Sequence, residues 1–115
     1  MRLNDFQIAK NFNLMELQCP CCHRVMTHPR LVAALQSLRD LLERPMVITS
    51  GYRCAEHNRT VGGASASRHM KGLAADVSVP KELQPELCDM ARRAGFSRAI
   101  SYPARSFVHL EVGYE

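Results

Sequence analysis

Residues 67–79, SRHMKGLAADVSV, join two possible metal ligands to a short apolar strand. The segment has the pattern SxHxxGxAxD, in which His69 and Asp76 are seven positions apart. Imidazole and carboxylate groups both bind zinc, but this spacing excludes the one-turn helical pair of HExxH sites. A histidine in a loop and an aspartate in a strand would therefore have to converge. The small residues Gly72 and Ala74 between them would leave room for a metal and a substrate backbone.

Asp76 is unusual for its surroundings, because the strand predicted at 73–79 is apolar and ends at Pro80. Burying an unpaired carboxylate is costly, so Asp76 needs a cation or strong hydrogen-bond donors. A metal shared with His69 meets this need. Pairing of Asp76 with an arginine, with His69 exposed, meets it equally well on this evidence.

The strand predicted at 107–112, FVHLEV, is apolar with polar residues at alternate positions, His109 and Glu111. Its period of two places Phe107, His109 and Glu111 on one face and the three aliphatic residues on the other. His109 and Glu111 should therefore face the same space, which makes His109 a third candidate ligand. A half-exposed edge strand with two solvated polar side chains is the alternative.

The signals around these residues predict an α+β fold. Pro29 begins a segment whose leucines recur at helical spacing up to Pro45, and Gly95 ends a second amphipathic segment. Asn13 and Glu16 have the spacing of a capping box. The predicted helices are 27–44 and 81–94, with shorter ones at 11–17 and 54–60; the predicted strands are 46–49, which should be buried, 73–79, 97–101 and 107–112. We expect a small, mainly antiparallel sheet packed against the two longer helices.

Composition places the chain among ordinary globular proteins. With 115 residues, 46% of them hydrophobic and 23% charged, it is expected to form a single domain, 1–115. The net charge of +4 could favour anionic partners, but the basic residues are scattered and Arg92-Arg93 is the one adjacent pair. Residues 1–10 lack the apolar run of a secretory signal, and no segment approaches the roughly 20 apolar residues of a membrane span. We therefore expect synthesis in the cytoplasm.

The five cysteines are Cys19, Cys21, Cys22, Cys54 and Cys88. The odd number of cysteines and the lack of an export signal argue against a disulfide framework. The first three, followed by His23, form a dense group of soft ligands with the spacing CxCCH. A structural zinc site usually pairs CxxC with a second, distant pair, which the sequence does not supply. Free thiols in a turn are the prediction, and a second metal site at this group is the alternative.

Two longer segments resemble a known family. ITSGYRCAEHNRTVGGASASRHMKGLAADV, residues 48–77, followed by FVHLEV, is similar to the zinc D-alanyl-D-alanine carboxypeptidase family. Within it, the short single-domain branch common in bacteriophages and prophages is the most similar, and NFNLMELQC at 11–19 resembles the N-terminal segment of that branch. The resemblance spans nearly the whole chain. It implies the fold of these peptidases, which is related to that of the hedgehog signalling domain.

The resemblance implies that His69, Asp76 and His109 bind one Zn²⁺. Three protein ligands leave a fourth position for a water molecule, whose pKa falls to about 7 on such a site. A nearby carboxylate would then move the proton to the leaving amine. The implied activity is hydrolysis of peptide bonds in peptidoglycan stem peptides or cross-links.

Two further residues are implied by the match. Arg53 would face the substrate carboxylate or the scissile carbonyl, with a surface salt bridge as the alternative. Ser67 would hydrogen-bond the substrate or orient the site, with capping of its own loop as the alternative. His57 lies in the matched segment but corresponds to no ligand, so we predict a structural role.

The sequence departs from the family pattern at the acid/base residue. Several relatives carry it three positions before the last ligand, where this chain has Ser106, which cannot act as a base. The nearer branch has an aspartate two positions after that ligand, where this chain has Glu111. Glu111 is therefore the predicted general base, and a hydrogen-bond partner of His109 is its alternative role.

Three functions remain to be separated. The first is a peptidoglycan carboxypeptidase or endopeptidase, acting as a monomer on a wall it reaches by release or delivery. The second is a non-catalytic zinc-binding module on the same fold, as in hedgehog proteins. A nucleic-acid-binding protein organised by its cysteines would suit the positive charge, but it leaves 67–76 unexplained, so we predict no nucleic-acid partner.

Overall fold

A four-stranded antiparallel sheet in the computed structural model, which describes residues 3–113, carries the segments singled out above. A two-stranded ladder near the N-terminus accompanies it. The strands are β1, Gln7–Ala9; β2, Phe12–Asn13; β3, Ile48–Ser50; β4, Ala74–Ser78; β5, Arg98–Tyr102; and β6, Phe107–Glu111. The helices are α1, Pro29–Leu42; α2, Ala55–Thr60; and α3, Gln84–Ala94. Short 3₁₀ helices span Leu14–Leu17, Arg68–Lys71, Lys81–Leu83 and Pro103–Arg105.

The strand order β3-β4-β6-β5 places the two central strands side by side. Asp76 of β4 lies directly opposite His109 of β6, and Ser50 of β3 lies opposite Asp76 on the other side. Directly opposed residues of antiparallel strands project from the same face of a sheet. One face of the sheet therefore carries a polar row across three strands.

The opposite face of β6 forms the core together with the two long helices. Val108, Leu110 and Val112 are completely buried, as the alternation along this strand predicts. Helix α1 contributes Leu35 and Leu38, which are also fully buried. The predicted α+β class, with a small antiparallel sheet against two longer helices, is confirmed.

Helix α1 begins, and helix α3 ends, where the local sequence predicts. His28 caps α1 by accepting a hydrogen bond from the backbone N–H of Arg30 through Nδ1 at 3.0 Å, and Pro29 occupies the first helical position. Gly95 ends α3 in the left-handed region with φ of 113°. The capping box of Asn13 and Glu16 is also present, so this local prediction is confirmed.

Strand β3 differs from the prediction of a buried strand at 46–49. It begins at Ile48, and Val47 before it is 62% exposed. The reason is the strand order, because β3 lies at an edge of the sheet and pairs with β4 alone. The helix predicted at 11–17 is wrong at its start, because Phe12–Asn13 pair with β1 as strand β2 and the 3₁₀ helix begins only at Leu14. The ladder of β1 and β2 was not predicted, since strands of three and two residues are too short to show periodicity. Within the described residues, no helix is long and apolar enough to cross a membrane.

Candidate metal centre

Three side-chain atoms converge beside Asp76 and His109 of the polar row. His69 Nε2 lies 3.2 Å from Asp76 Oδ1 and 3.2 Å from His109 Nδ1, and the last two atoms are 2.9 Å apart. His69 is 1% exposed and Asp76 is 5% exposed. The loop histidine and the strand residues predicted as ligands are therefore brought together.

A capped 3₁₀ turn holds His69 in place. Ser67 Oγ accepts a hydrogen bond from the backbone N–H of His69 at 3.2 Å, and Gly72 ends the turn with φ of 70°. A Cβ on Gly72 would lie 2.5 Å from the carbonyl oxygen of Met26. The expectation that Gly72 and Ala74 leave room for a metal is therefore wrong. Glycine is required by backbone packing, and Ala74 is fully buried in the sheet.

The outer nitrogens of both histidines are occupied by acceptors. His69 Nδ1 donates to the carbonyl oxygen of Gly51 at 2.7 Å, and His109 Nε2 donates to Glu111 Oε1 at 2.9 Å. These acceptors assign the protons of the neutral rings to the outer nitrogens. The two inner nitrogens and Asp76 Oδ1 then direct lone pairs at one another, which is unfavourable without a cation or a shared proton between them.

This donor set fits Zn²⁺. Two imidazoles and one carboxylate are common zinc ligands, and three of them leave a fourth position for water. Zinc-binding histidines also usually donate their other N–H to a carboxylate or a backbone carbonyl. Both arrangements occur here, with Glu111 behind His109 and Gly51 behind His69.

The charges around Asp76 keep it ionised. Burial by itself would raise the pKa of this carboxyl, but hydrogen bonds from His109 and His69 outweigh burial and lower the pKa to about 2. Burial would lower the pKa of His109, and its contacts with Asp76 and Glu111 reverse that effect and raise it. In the metal-free protein the two carboxylates thus favour a positive charge on His109.

Arg53 holds the second oxygen of Asp76. Its Nη2 lies 3.3 Å from Asp76 Oδ2, its Nε donates to Ser50 Oγ at 3.3 Å, and its Nη1 donates to Asn58 Oδ1 at 3.3 Å. The arginine partner considered for Asp76 therefore exists, but His69 is buried rather than exposed. The contact leaves Oδ1 directed at the two imidazoles.

Glu111 is fixed on both of its oxygens. Oε1 accepts from His109, while Oε2 forms an ion pair with Arg68 Nε at 3.2 Å and lies 3.8 Å from Arg98 Nη1. The residue is 7% exposed. This carboxylate thus contacts the nitrogen of His109 that faces away from Asp76.

Comparisons with known proteins identify the family of the chain. The family model described as peptidase M15 matches residues 9–111. The chain belongs to the peptidase M15 family. A zinc D-Ala-D-Ala carboxypeptidase of Streptomyces albus G is 36% identical over 75 residues, which cover 63% of this chain and 29% of that protein. The predicted family is thereby confirmed, and the matched part of this M15 chain spans less than a third of that relative.

The centre of this M15 family member opens into a cavity of about 670 Å³. Arg53, Ser67 and Glu111, the other predicted site residues, all line it. The hydroxyl of Ser67 is engaged in the capping bond to His69, which is the alternative that the sequence left open. His57 also lines the cavity, although the sequence indicated a structural role. Its location inside the 48–77 segment was the one available signal.

Basic and aromatic side chains form part of the wall of the cavity. Tyr102 and Phe107 stack with ring centroids 4.5 Å apart, and the Arg105 guanidinium lies 5.4 Å from the Phe107 centroid. The arginines that line the cavity are Arg53, Arg68, Arg98 and Arg105. Four arginines against the two carboxylates Asp76 and Glu111 give the lining a net positive charge, so this wall favours an anionic ligand.

The fold also brings Cys54 to the thiols of the 18–26 loop. Cys19, Cys22 and Cys54 each offer a sulfur within 4.8 Å of the other two, and all five cysteines carry free thiols. No disulfide joins these cysteines, all of which lie in the described part of the chain. The proximity of Cys54 to Cys19 was not predicted, because the two cysteines are 35 residues apart in the sequence.

Proposed function

We propose that the protein is a zinc peptidase that hydrolyses peptide bonds in peptidoglycan stem peptides or cross-links. The observation that carries the proposal is the convergence of His69 Nε2, Asp76 Oδ1 and His109 Nδ1 at the wall of an open cavity. Both rings have their outer nitrogens occupied by acceptors, so the inner nitrogens are free to bind a metal. Membership of the M15 family and the zinc-dependent relative support the same reaction.

In this proposal the three residues bind Zn²⁺, which would supply a Lewis acid for the scissile carbonyl and lower the pKa of a water at the fourth position to about 7. His69 and His109 must stay neutral and correctly rotated to bind it. Gly51 and Glu111 achieve this by accepting their outer N–H groups.

Arg53 is proposed to act on both the metal centre and the substrate. A guanidinium has five N–H donors, and three contacts to protein atoms leave others for a ligand in the cavity. Such a donor could stabilise negative charge that develops on the scissile carbonyl oxygen. It could equally bind the terminal carboxylate of a peptide, for which a planar guanidinium is well suited.

The role of Glu111 in this proposal is to position His109. Its contact with the outer nitrogen and its ion pair with Arg68 direct it away from the converging ligand atoms. Proton transfer to the leaving amine then needs another group in the cavity. His57 lines the same cavity and has a side chain that commonly acts as a general acid or base.

The basic wall indicates the class of substrate. Peptidoglycan stem peptides carry free carboxylates, and four arginines line the cavity. A volume of about 670 Å³ lies within the usual range for small-ligand sites. A short peptide with a free terminal carboxylate therefore fits both the size and the charge of this cavity.

Digestion of purified muropeptides tests the function. Stem peptides ending in D-Ala-D-Ala and cross-linked dimers are incubated with the protein, with and without a chelator, and the products are identified by mass. We expect loss of a terminal residue or cleavage of the cross-link, abolished by the chelator and restored by added zinc. The products also show which bond is cut.

Two variants link hydrolysis to the proposed ligands. His69→Ala should lose activity together with one equivalent of zinc. His23→Asn is the matched control, because His23 is exposed outside the cavity and its φ of 61° suits asparagine. A protein that binds zinc through His69 but yields no product from any muropeptide would be a non-catalytic zinc module, and the peptidase proposal would be wrong.

A further inference from the structure

A group of thiols lies outside the histidine centre, where the N-terminal segment contacts the segment that carries Arg53. Cys19 Sγ is 3.7 Å from Cys54 Sγ, and the sulfur of Cys22 is within 4.8 Å of both. Cys19 is buried, Cys54 is half-buried and Cys22 is exposed. These three cysteines are called the thiol cluster below.

Backbone hydrogen bonds shape the loop that presents two of these thiols. The N–H of Cys19 donates to the carbonyl of Arg24 at 2.8 Å, and the N–H of His23 donates to the carbonyl of Cys19 at 2.8 Å. His23 closes this turn in the left-handed region. The turn brings the first and fourth residues of Cys19-Pro20-Cys21-Cys22 to the same side, as in the CxxC half of many zinc sites.

Close backbone packing brings the third thiol to this turn. The N–H of Tyr52 donates to the carbonyl of Leu17 at 2.8 Å. A Cβ on Gly51 would lie 2.6 Å from the Cα of Leu17, so only glycine allows the two segments to approach so closely. Cys54 follows two residues after Tyr52 and thereby reaches Cys19.

The separation of the sulfurs agrees with a shared metal. In a tetrahedral zinc site with Zn–S bonds of about 2.3 Å, two sulfurs are about 3.8 Å apart. The 3.7 Å between Cys19 and Cys54 matches this value. It is far longer than the S–S bond of a disulfide, which is about 2.05 Å.

We propose that Cys19, Cys22 and Cys54 bind a structural zinc ion that is separate from the His69–Asp76–His109 centre. Each thiol releases its proton to solvent when the metal binds, because the thiolate is the ligand. The proposal does not depend on the peptidase function, since it rests on other residues.

Neighbouring groups complete the surroundings of such an ion. The exposed Cys21 is next to Cys22, and its thiol interacts with that of Cys54, so it is the nearest further thiol for a fourth position. The backbone N–H of His57 donates to Cys54 Sγ at 3.4 Å. A donor of this kind stabilises a metal-bound thiolate.

The consequence of the ion would be to fasten the N-terminal segment to the residues that support the histidine centre. Cys54 directly follows Arg53, whose backbone N–H donates to the carbonyl of His69 at 3.1 Å. Gly51, on the same segment, accepts from the ring of His69. An ion bound by the thiol cluster would thus hold residues 51–54, which contact His69, in position.

Metal content measured under reducing conditions tests the proposal. We expect two zinc ions in the wild-type chain, one in His69→Ala, one in Cys22→Ser and one in Cys54→Ser. After replacement of zinc by Co²⁺, the wild-type and His69→Ala proteins should show thiolate-to-cobalt charge-transfer absorption, and both serine variants should lose it. Circular dichroism checks that each variant is folded.

Cys88→Ser is the matched control, because Cys88 is outside the thiol cluster and contacts Ser101 Oγ instead. It should keep both ions and the charge-transfer band. A wild-type protein whose only zinc disappears in His69→Ala would overturn the proposal. So would an intact mass lower by two hydrogens without bound zinc, if peptide mapping located the disulfide between Cys19 and Cys54. Muropeptide hydrolysis plays no part in these readouts, so failure of the peptidase function would leave them interpretable.

Discussion

Replacement of Glu111 by glutamine separates a positioning role from a proton-transfer role at the histidine centre. The carboxylate accepts from His109 Nε2 at 2.9 Å and pairs with Arg68 at 3.2 Å, in a side chain that is 7% exposed. Glutamine has nearly the same shape and can still accept through its amide oxygen. The substitution therefore removes charge from the contact without emptying the space.

The size of the effect follows from the loss of that charge. A hydrogen bond to a charged group contributes about 1.5–3 kcal/mol, and one between neutral groups contributes about 0.5–1.5 kcal/mol. The difference of about 1–1.5 kcal/mol corresponds to roughly 5- to 12-fold in affinity. Glu111→Gln should therefore bind zinc about tenfold more weakly, which is at the low end of the usual range for partners of metal ligands.

The assay combines zinc competition against a chromophoric chelator with hydrolysis measured at increasing zinc. In the positioning role, turnover of Glu111→Gln returns to the wild-type value once zinc is saturating. If Glu111 transfers protons, the zinc affinity of Glu111→Gln would equal that of the wild type, but its turnover would stay at least about 10²-fold lower at saturating zinc. Glu86→Gln, at an exposed position of α3, is the control and should change neither quantity. Unchanged affinity with unchanged activity would refute the reasoning for both roles.

Three further substitutions test other parts of the structure. Arg53→Lys should reduce hydrolysis at least about tenfold at saturating zinc, because an ammonium cannot reproduce the planar donor fork, whereas exposed Arg59→Lys should be neutral in the same assay. Gly72→Ala should lower the free energy of unfolding by about 2–5 kcal/mol in denaturant titrations, since it adds a clash at 2.5 Å to the cost of a left-handed alanine. Gly62→Ala, with φ of 73° and open space around it, should lose only about 1–2 kcal/mol, and equal losses would contradict the clash. His57→Gln should keep its zinc but lose one limb of the pH profile of turnover, and an unchanged profile would exclude it from proton transfer.

Local chemistry allowed several elements to be predicted from the sequence. The alternation in FVHLEV placed Val108, Leu110 and Val112 in the core, because the pleat of a strand directs successive side chains to opposite faces. The same period placed His109 and Glu111 together on the cavity side. These predictions depend only on backbone geometry within one element.

The candidate site needed more than periodicity. Residue chemistry indicated that Asp76 required a cation or donors, but it could not choose between a metal and an arginine. The structure contains both possibilities at once, since Arg53 contacts one oxygen of Asp76 while the other faces the two imidazoles. The resemblance to the carboxypeptidase family, rather than the spacing of the residues, selected His109 as the third member.

What the sequence by itself determined was the type of each long element, the inward face of each and the family to which the chain belongs. Tertiary structure alone decided which segments lie side by side. It placed β3 at an exposed edge, set Asp76 opposite His109, brought His57 to the cavity and carried Cys54 to Cys19 across 35 residues. The physical reason is that helix and strand patterns arise from neighbours within a few residues, whereas these contacts depend on long-range packing, such as the approach of Gly51 to Leu17, that no local pattern encodes.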